Sequence, residues 1–225
     1  MFYQFLPRQP LQFNLGQFGS AYKSFPSVVQ RTSGAGAARA TSFSPSWSAT
    51  VSGNLLVLEL GVEANGAAPS TPGGWSVGPT STANGSGIRH SAFYKVSTGG
   101  ETGVTISQGN NAWSWIMREV SGQNTAPIWG TNSTGTSSSP NPPSVAVGSA
   151  GHYLIIGGAA YVTTTTSSYS ANYLDGLTAS ATGANLVRTA SAERQLIVST
   201  SEDPGTMTIG ASAAWVGYTW AVGNV

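Results

Sequence analysis

Two stretches, AWSWIMREV at residues 112–120 and AWVGYTWAV at residues 214–222, decide the fold. In both, large apolar side chains recur at every second position. The residues that share one face are Trp113, Trp115 and Met117 in the first stretch, and Val216, Tyr218, Trp220 and Val222 in the second. Because side chains alternate between the two faces of an extended chain, this spacing predicts β-strands. Such strands are half-buried, or central with both faces covered.

Similar runs of β-branched and aromatic residues, bounded by Gly, Pro, Asn and Ser, recur along the chain, and helix signals are nearly absent. This pattern is typical of short strands joined by turns. The predicted strands are 28–31, 40–43, 54–62, 90–96, 104–107, 112–120, 152–161, 186–189, 193–200, 206–209 and 214–222. We therefore predict an all-β protein, an antiparallel jelly-roll-like β-sandwich with an extended N-terminal arm.

The two halves of the chain, about 50–122 and 150–225, repeat one pattern. Residues 53–62 read GNLLVLELGV and residues 151–160 read GHYLIIGGAA. Each half then runs through a variable loop and a Gly/Pro turn to a Trp-containing strand. Gene duplication and one strand meander arising twice both explain the repeat. Residues 130–144, GTNSTGTSSSPNPPS, are predicted to form an extended linker across the top of the sandwich.

We expect one sandwich domain over residues 28–225, since neither half could bury its apolar strand faces alone. Residues 1–27 differ, because their aromatic residues follow neither strand nor helix spacing. These candidate partner-binding residues are Phe2, Tyr3, Phe5, Phe13, Phe18, Tyr22 and Phe25. The arm packs either on its own sandwich or, as we favour, on a neighbouring subunit.

The amino-acid composition limits the classes of function that this chain can have. Charged residues make up 8% of the chain, against roughly 25% in ordinary proteins. A surface of small neutral side chains can be covered by another subunit at little desolvation cost. The nine Lys and Arg residues are scattered, which argues against nucleic-acid binding. No apolar run is long enough for a membrane helix, and Pro7, Arg8 and Pro10 interrupt any signal peptide.

The short set of ionisable residues gives no expectation of catalysis, and we predict no catalytic residue, metal site or cofactor. Glycoside hydrolysis needs two carboxylates across a cleft. Glu59 and Glu119 are the one pair we consider, and a structural role is the better interpretation of both. His90 and His152 each open a predicted strand and are expected to be packed or solvated. No metal-binding or nucleophile motif is present.

Aromatic residues in or directly beside the predicted loops, at 64–89 and 162–186, are the candidate ligand-binding residues. They are Trp75, Tyr161, Tyr169 and Tyr173. Aromatic rings offer a large contact area for a sugar or a protein at low entropy cost. The alternative is that Trp75 caps the core and the tyrosines pack over a sheet edge.

A series of motifs, GNLLVLELGV, TPGGWSV, HSAFYKVSTGGET and WSWIMREVSG, resembles a β-sandwich domain of tailed-bacteriophage virion proteins. SSSPNPPS and the late segment from Glu193 to Val222 resemble the remainder of that domain. The resemblance covers about residues 28–225 and depends on the order and spacing of several weak motifs. It supplies no catalytic residues.

The resemblance implies a non-enzymatic virion protein, assembled in the host cytoplasm and released by lysis. We expect a capsid decoration (cement) protein or a small fibre-like subunit, forming a homo-oligomer such as a trimer and packing on the major capsid protein or on tail proteins. The alternative is a tail-fibre or tail-tip module that binds a receptor or a host-surface glycan through its loops. Neither nucleic acid nor membrane is an expected partner.

Overall fold

The computed structural model describes residues 23–36, 38–162, 164–181 and 186–225, and every regular element among them is a β-strand. The strands of the first half are β1 (Ser27–Ala35), β2 (Ala40–Phe43), β3 (Leu55–Val62), β4 (Ser76–Val77), β5 (Thr82–Asn84), β6 (Ile88–Val96), β7 (Ile106–Asn111) and β8 (Trp113–Ser121). Those of the second half are β9 (Ile128–Trp129), β10 (Ser133–Ser137), β11 (Val145–Ala146), β12 (Gly151–Val162), β13 (Thr166–Ser168), β14 (Leu174–Ser180), β15 (Val187–Val198), β16 (Ser201–Glu202), β17 (Thr208–Ile209) and β18 (Ala213–Asn224).

These strands form two main sheets. The first sheet has the order β1-β8-β3-β6-β4, with β5 also paired to β6. The second sheet has the order β10-β18-β12-β15-β14, with β9 also paired to β18. All of these pairs are antiparallel, and the predicted all-β sandwich is confirmed. Each half of the chain supplies one sheet with the same relative strand order, so the sequence repeat extends to the topology.

The sheets pack face to face, and each outer face carries a further apolar layer. Between them, Leu55 and Val57 of the first sheet pack with Leu154 and Val222 of the second. The pairs β2–β7, β11–β16 and β13–β17 lie over the outer faces. The central strands are therefore covered on both faces, which explains why every residue of β3 is buried and all but Glu59 are apolar.

A glycine lies opposite a tryptophan at the same place in each sheet. Gly34 of β1 pairs with Trp115 of β8, and Gly135 of β10 pairs with Trp215 of β18. In both pairs the indole occupies the space that a side chain on the glycine would need. By this criterion Trp115 and Trp215 are equivalent residues of the two halves.

The short strands β4, β5, β9, β11, β13 and β16 were not predicted, and three larger differences concern the second sheet. Residues 187–198 form the single strand β15, where two shorter strands were predicted. Strand β14 was not predicted. The linker prediction for residues 130–144 is wrong in part, because Ser133–Ser137 form β10 at the edge of the second sheet. Apart from its two threonines, its Ser and Gly residues have little strand preference of their own, and the ladder with β18 holds them in place.

The chain leading into β1 lies against the second sheet. The Phe25 ring stacks on His152, with centroids 4.5 Å apart, and Pro26 is buried. Gln195 Nε2 donates a hydrogen bond of 2.8 Å to the Pro26 carbonyl. At Phe25, then, the predicted arm packs on its own sandwich. The other six predicted arm residues, Phe2, Tyr3, Phe5, Phe13, Phe18 and Tyr22, lie outside the described residues.

Candidate functional site

The space between the sheets contains a fully buried ion pair. Glu59 of β3 and Arg118 of β8 each have a side chain that is 1% exposed, and Arg118 Nη1 lies 2.9 Å from Glu59 Oε2. The second sheet supplies further donors to the carboxylate: Ser191 Oγ at 2.8 Å, Tyr218 OH at 3.1 Å and Trp220 Nε1 at 2.6 Å. Burying a charge is costly unless it is paired and hydrogen-bonded, and Glu59 is both.

From this pair, charges of alternating sign continue to the surface. Arg118 Nε lies 3.5 Å from Glu193 Oε2, Arg31 Nη2 lies 2.7 Å from Glu193 Oε1, and Arg31 Nη1 lies 3.4 Å from Asp175 Oδ2. We call Asp175, Arg31, Glu193, Arg118 and Glu59 the charge ladder. Its side chains pass from 58% exposed at Asp175 to 1% at Glu59. Three of its four links join one sheet to the other.

Burial raises the pKa of Glu193, and the nearby Arg118 and Arg31 oppose that rise. Tyr218 has its pKa raised well above the ordinary value because it is buried and faces the Glu59 carboxylate. The phenol therefore stays protonated and can donate its hydrogen bond to Glu59 at any ordinary pH. At the inner end of the ladder, Tyr218 is therefore a permanent hydrogen-bond donor to Glu59.

The outer end of the ladder opens into a surface groove with a volume of about 480 Å³. The groove lies where β1 at the edge of the first sheet meets β14 and β15 of the second. Its lining includes Arg31, Asn172, Leu174, Asp175, Glu193 and Arg194. We call this the ladder groove, and it is the candidate binding site.

The backbone that forms one wall of the groove is unusual. The pairing of β14 with β15 shifts register between Leu174 and Leu177. Among the described residues, the non-glycine positions with positive φ are Asn172, at 66°, and Asp175, at 51°. Each such residue costs of order 1–3 kcal/mol and persists only where its surroundings enforce it. The bulge directs the Asp175 carboxylate towards Arg31 on the other sheet.

The four predicted ligand-binding residues lie apart from this groove and make packing contacts. Trp75 is partly buried against the outer layer of the first sheet, edge-on to Trp47 with ring centroids 6.2 Å apart. Tyr161 and Tyr173 are buried, and burial raises the pKa of both phenols. Tyr169 is partly buried, and its hydroxyl lies 2.8 Å from Thr178 Oγ1. The tyrosines pack over the outer face of the second sheet.

The two carboxylates considered for glycoside hydrolysis do not share a cleft. Glu59 points between the sheets, whereas Glu119 pairs opposite Leu56, on the outer side of the first sheet. Glu119 accepts hydrogen bonds of 2.7 Å from the Val51 amide and from Asn54 Nδ2. The two face opposite sides of one sheet, so they cannot act together on one glycosidic bond.

Both histidines stack on an aromatic ring. His90 is fully buried and stacks on Tyr218 with ring centroids 3.9 Å apart. Its burial lowers the pKa to about 3, so the ring is neutral at physiological pH. His152 is the ring on which Phe25 stacks. Within the described ranges, no group of three His, Asp or Glu side chains is arranged to hold a metal ion.

The sequence did not reveal the ladder groove. Its residues come from three distant segments, and Asp175 and Asn172 lie in a stretch predicted as loop. The one local signal was a Leu-Asp-Gly sequence at residues 174–176, which suggests an irregular strand but not a charge partner.

The two packed sheets and the groove between their edges define this chain as a two-sheet antiparallel β-sandwich protein with a charged groove. Comparison with protein-family models, with curated proteins and with solved structures finds no match. In the part of the chain that the structure describes, no helix is long and apolar enough to cross a membrane.

Proposed function

We propose that this chain is a non-enzymatic bacteriophage virion structural protein, a capsid decoration (cement) protein or a small fibre-like subunit that packs on neighbouring virion proteins. The observation that carries the proposal is the use of charge. The chain has eight Asp and Glu residues, and each of their side chains is bound by a partner within the chain. The carboxylates are therefore engaged within the fold.

The partners lie close. Besides the ladder, Glu63 binds Arg39, Glu101 lies 2.8 Å from Lys95 Nζ, and Glu202 lies 2.8 Å from Arg194 Nη1. Glu119 holds the Val51 turn, and Asp203 accepts a hydrogen bond of 3.0 Å from the Gly205 amide. Because each carboxylate has a structural partner, we infer a packing role in preference to catalysis.

What remains outside is largely Ser, Thr, Asn, Gly and scattered apolar residues. Val51, Val77 and Val96 are each more than half exposed, and the edge strand β10 reads STGTS without a charge. Covering such a surface with another protein requires little desolvation of charge. This composition suits a subunit whose surface is covered by other proteins in an assembly, whereas a free monomer usually carries more surface charge.

The motifs that resemble the phage domain occupy turn and core positions. Gly53 and Gly122 have φ of 87° and 76° at the ends of β3 and β8. Trp75 packs on the first sheet's outer layer, and Lys95 pairs with Glu101. The resemblance therefore concerns the scaffold, and it supports a shared sandwich more than a shared ligand.

The test is to locate the protein on particles. Particles purified from cells that carry the gene are examined by mass spectrometry and by labelling with a specific antibody in electron micrographs. Label over the whole head supports decoration, and label confined to the tail moves the protein to the receptor- or glycan-binding alternative. No protein on any particle contradicts the virion proposal.

The role of the N-terminal residues is tested on the same particles with two truncated variants. One begins at Lys23 and keeps Phe25 and Pro26, whose contacts belong to the fold. The other begins at Ser27 and loses those contacts. If the preceding residues bind a neighbour, the first variant folds normally but is depleted from particles. If both variants assemble as the full chain does, the aromatic residues before Lys23 have no part in assembly.

A further inference from the structure

We propose that the ladder groove is a binding site for a neutral, hydroxyl-rich ligand, a short saccharide. The site is distinct from the four aromatic residues singled out in the sequence, and it does not rest on a virion location. Four observations carry the inference: the size of the groove, its balance of charge, the donors and acceptors of its lining residues, and the rigidity of its walls.

The groove is the right size for a small ligand. Its volume of about 480 Å³ lies within the roughly 300–1,000 Å³ that is usual for small-molecule sites. It is bounded by β1 on one side and by the bulged start of β14 on the other. An edge between two packed sheets offers depth that the face of a single sheet does not.

The charges in the groove balance and are already paired. Arg31 contacts both Asp175 and Glu193, and Arg194 contacts Glu202. An anionic or cationic ligand would have to displace one member of a pair. A hydroxyl group can donate to a carboxylate oxygen and accept from a guanidinium N–H at the same time. The groove therefore favours a neutral ligand with many hydroxyls over a charged one.

Among the described residues, the buried Arg31 Nε makes no hydrogen bond, whereas Glu193 Oε2 faces Arg118 Nε at 3.5 Å. Leaving the Arg31 donor unmet is unfavourable. Beside them, the Asn172 amide offers a further donor and acceptor on a side chain that lines the groove. Together the Arg31 guanidinium, the Glu193 carboxylate and the Asn172 amide give the groove both donors and acceptors for sugar hydroxyls.

The polar side chains that form the walls are held in position by contacts on their buried side. Arg31 and Glu193 are members of the charge ladder, which continues to the fully buried Arg118 and Glu59. A site whose polar groups are already oriented loses less entropy on binding. At the rim, Leu174 is 71% exposed and presents an apolar surface suited to the C–H face of a sugar ring. This combination of fixed polar groups and one apolar edge is typical of a ligand site.

The experiment is saturation-transfer NMR on the full chain with a panel of free sugars: glucose, galactose, mannose, N-acetylglucosamine and rhamnose. Two groove variants are compared with wild type. Asn172→Gly removes the amide but keeps the left-handed backbone, because glycine adopts positive φ freely. Leu174→Ala removes the apolar rim. Val77→Ala, at another exposed apolar residue of an edge strand, and Asp203→Asn, at an exposed turn, are the matched controls.

We expect at least one sugar of the panel to bind. We also expect about tenfold weaker affinity for Asn172→Gly, the effect of losing a hydrogen bond or two, and a smaller loss for Leu174→Ala. The controls should bind as wild type, and all variants should keep the wild-type near-ultraviolet circular dichroism. No binding by any sugar overturns the proposal, as does binding that both groove variants leave unchanged. A groove-dependent complex with a peptide or with a second copy, and none with sugars, overturns the ligand class.

Discussion

Trp220 Nε1 donates a hydrogen bond of 2.6 Å to Glu59 Oε1, although the two residues are 161 positions apart and belong to different sheets. Glu59 also receives Arg118 from its own sheet. A single buried carboxylate thus takes its partners from both layers of the sandwich. Because the bond forms only when the sheets meet, the contact between Trp220 and Glu59 marks closure of the sandwich.

Replacing Glu59 by Gln should lower the free energy of unfolding by about 3–5 kcal/mol, because it leaves the Arg118 charge buried without its closest partner. Urea denaturation followed by Trp fluorescence measures the change. The double variant Glu59→Met with Arg118→Met should lose less than the single variant, since no unpaired charge remains. A single variant within about 1 kcal/mol of wild type contradicts the importance given to this pair.

Gly34→Ala should destabilise the first sheet by about 1–3 kcal/mol through overpacking. A Cβ at residue 34 would lie 2.7 Å from Cζ2 of Trp115, so the indole must move. Gly73→Ala is the matched control, because a Cβ there meets nothing within 4 Å; its effect should stay within about 0.5 kcal/mol. Thermal unfolding compares the two variants, and equal effects would show that the indole yields without cost.

Stability should fall on acidification below about pH 4.5, with Glu63 and Glu101 as main contributors. Hydrogen bonding to Arg39 lowers the pKa of Glu63, and hydrogen bonding to Lys95 lowers that of Glu101. A lowered folded-state pKa gives stability that is present above the unfolded pKa and is lost as pH falls through the folded one. Glu101→Gln should therefore flatten the dependence of the urea midpoint on pH.

Glu193 should act in the opposite direction, because burial raises its pKa in the folded state. Its ionised form weakens the fold above that pKa, and protonation on acidification relieves the cost. Glu193→Gln should thus steepen the loss of stability between neutral and acidic pH. Urea midpoints measured across that range test the sign, and the same slope change in Glu101→Gln and Glu193→Gln contradicts it.

Phe25→Ala should destabilise the protein by about 1–2 kcal/mol, since the ring is half-buried and stacks on His152. Lys23→Ala, at an exposed position two residues earlier, is the control and should be neutral. Urea denaturation of both variants measures the difference. No loss in Phe25→Ala would mean that the stacked ring adds nothing to the sandwich.

Alternation along the chain predicted much of the fold. The face assignments around Trp115 and Tyr218 follow from strand geometry alone, and the structure places those residues as expected. The same parity separates Glu119 from Arg118 on β8, and hence puts Glu59 and Glu119 on opposite faces once the strand register is known. Register depends on pairing between strands, which one sequence does not display.

The remaining features depend on contacts between distant segments. Strand β10 has the composition of a loop, and only its ladder with β18 makes it a strand. Asp175 reaches Arg31 because a bulge redirects it, and Arg31 reaches Glu193 because two sheets pack at that edge. None of these three relationships is local, so residue preference and periodicity could not identify the groove.

Every strand of the first sheet lies between Ser27 and Ser121, and every strand of the second lies between Ile128 and Asn224. Among the described residues, segment 122–127 is therefore the one covalent crossing from sheet to sheet. It acts as a tether that keeps two complementary layers at high effective concentration. Doubling its length should cost only about 0.6 kcal/mol, whereas cutting it would turn closure of the sandwich into a bimolecular reaction that depends on protein concentration.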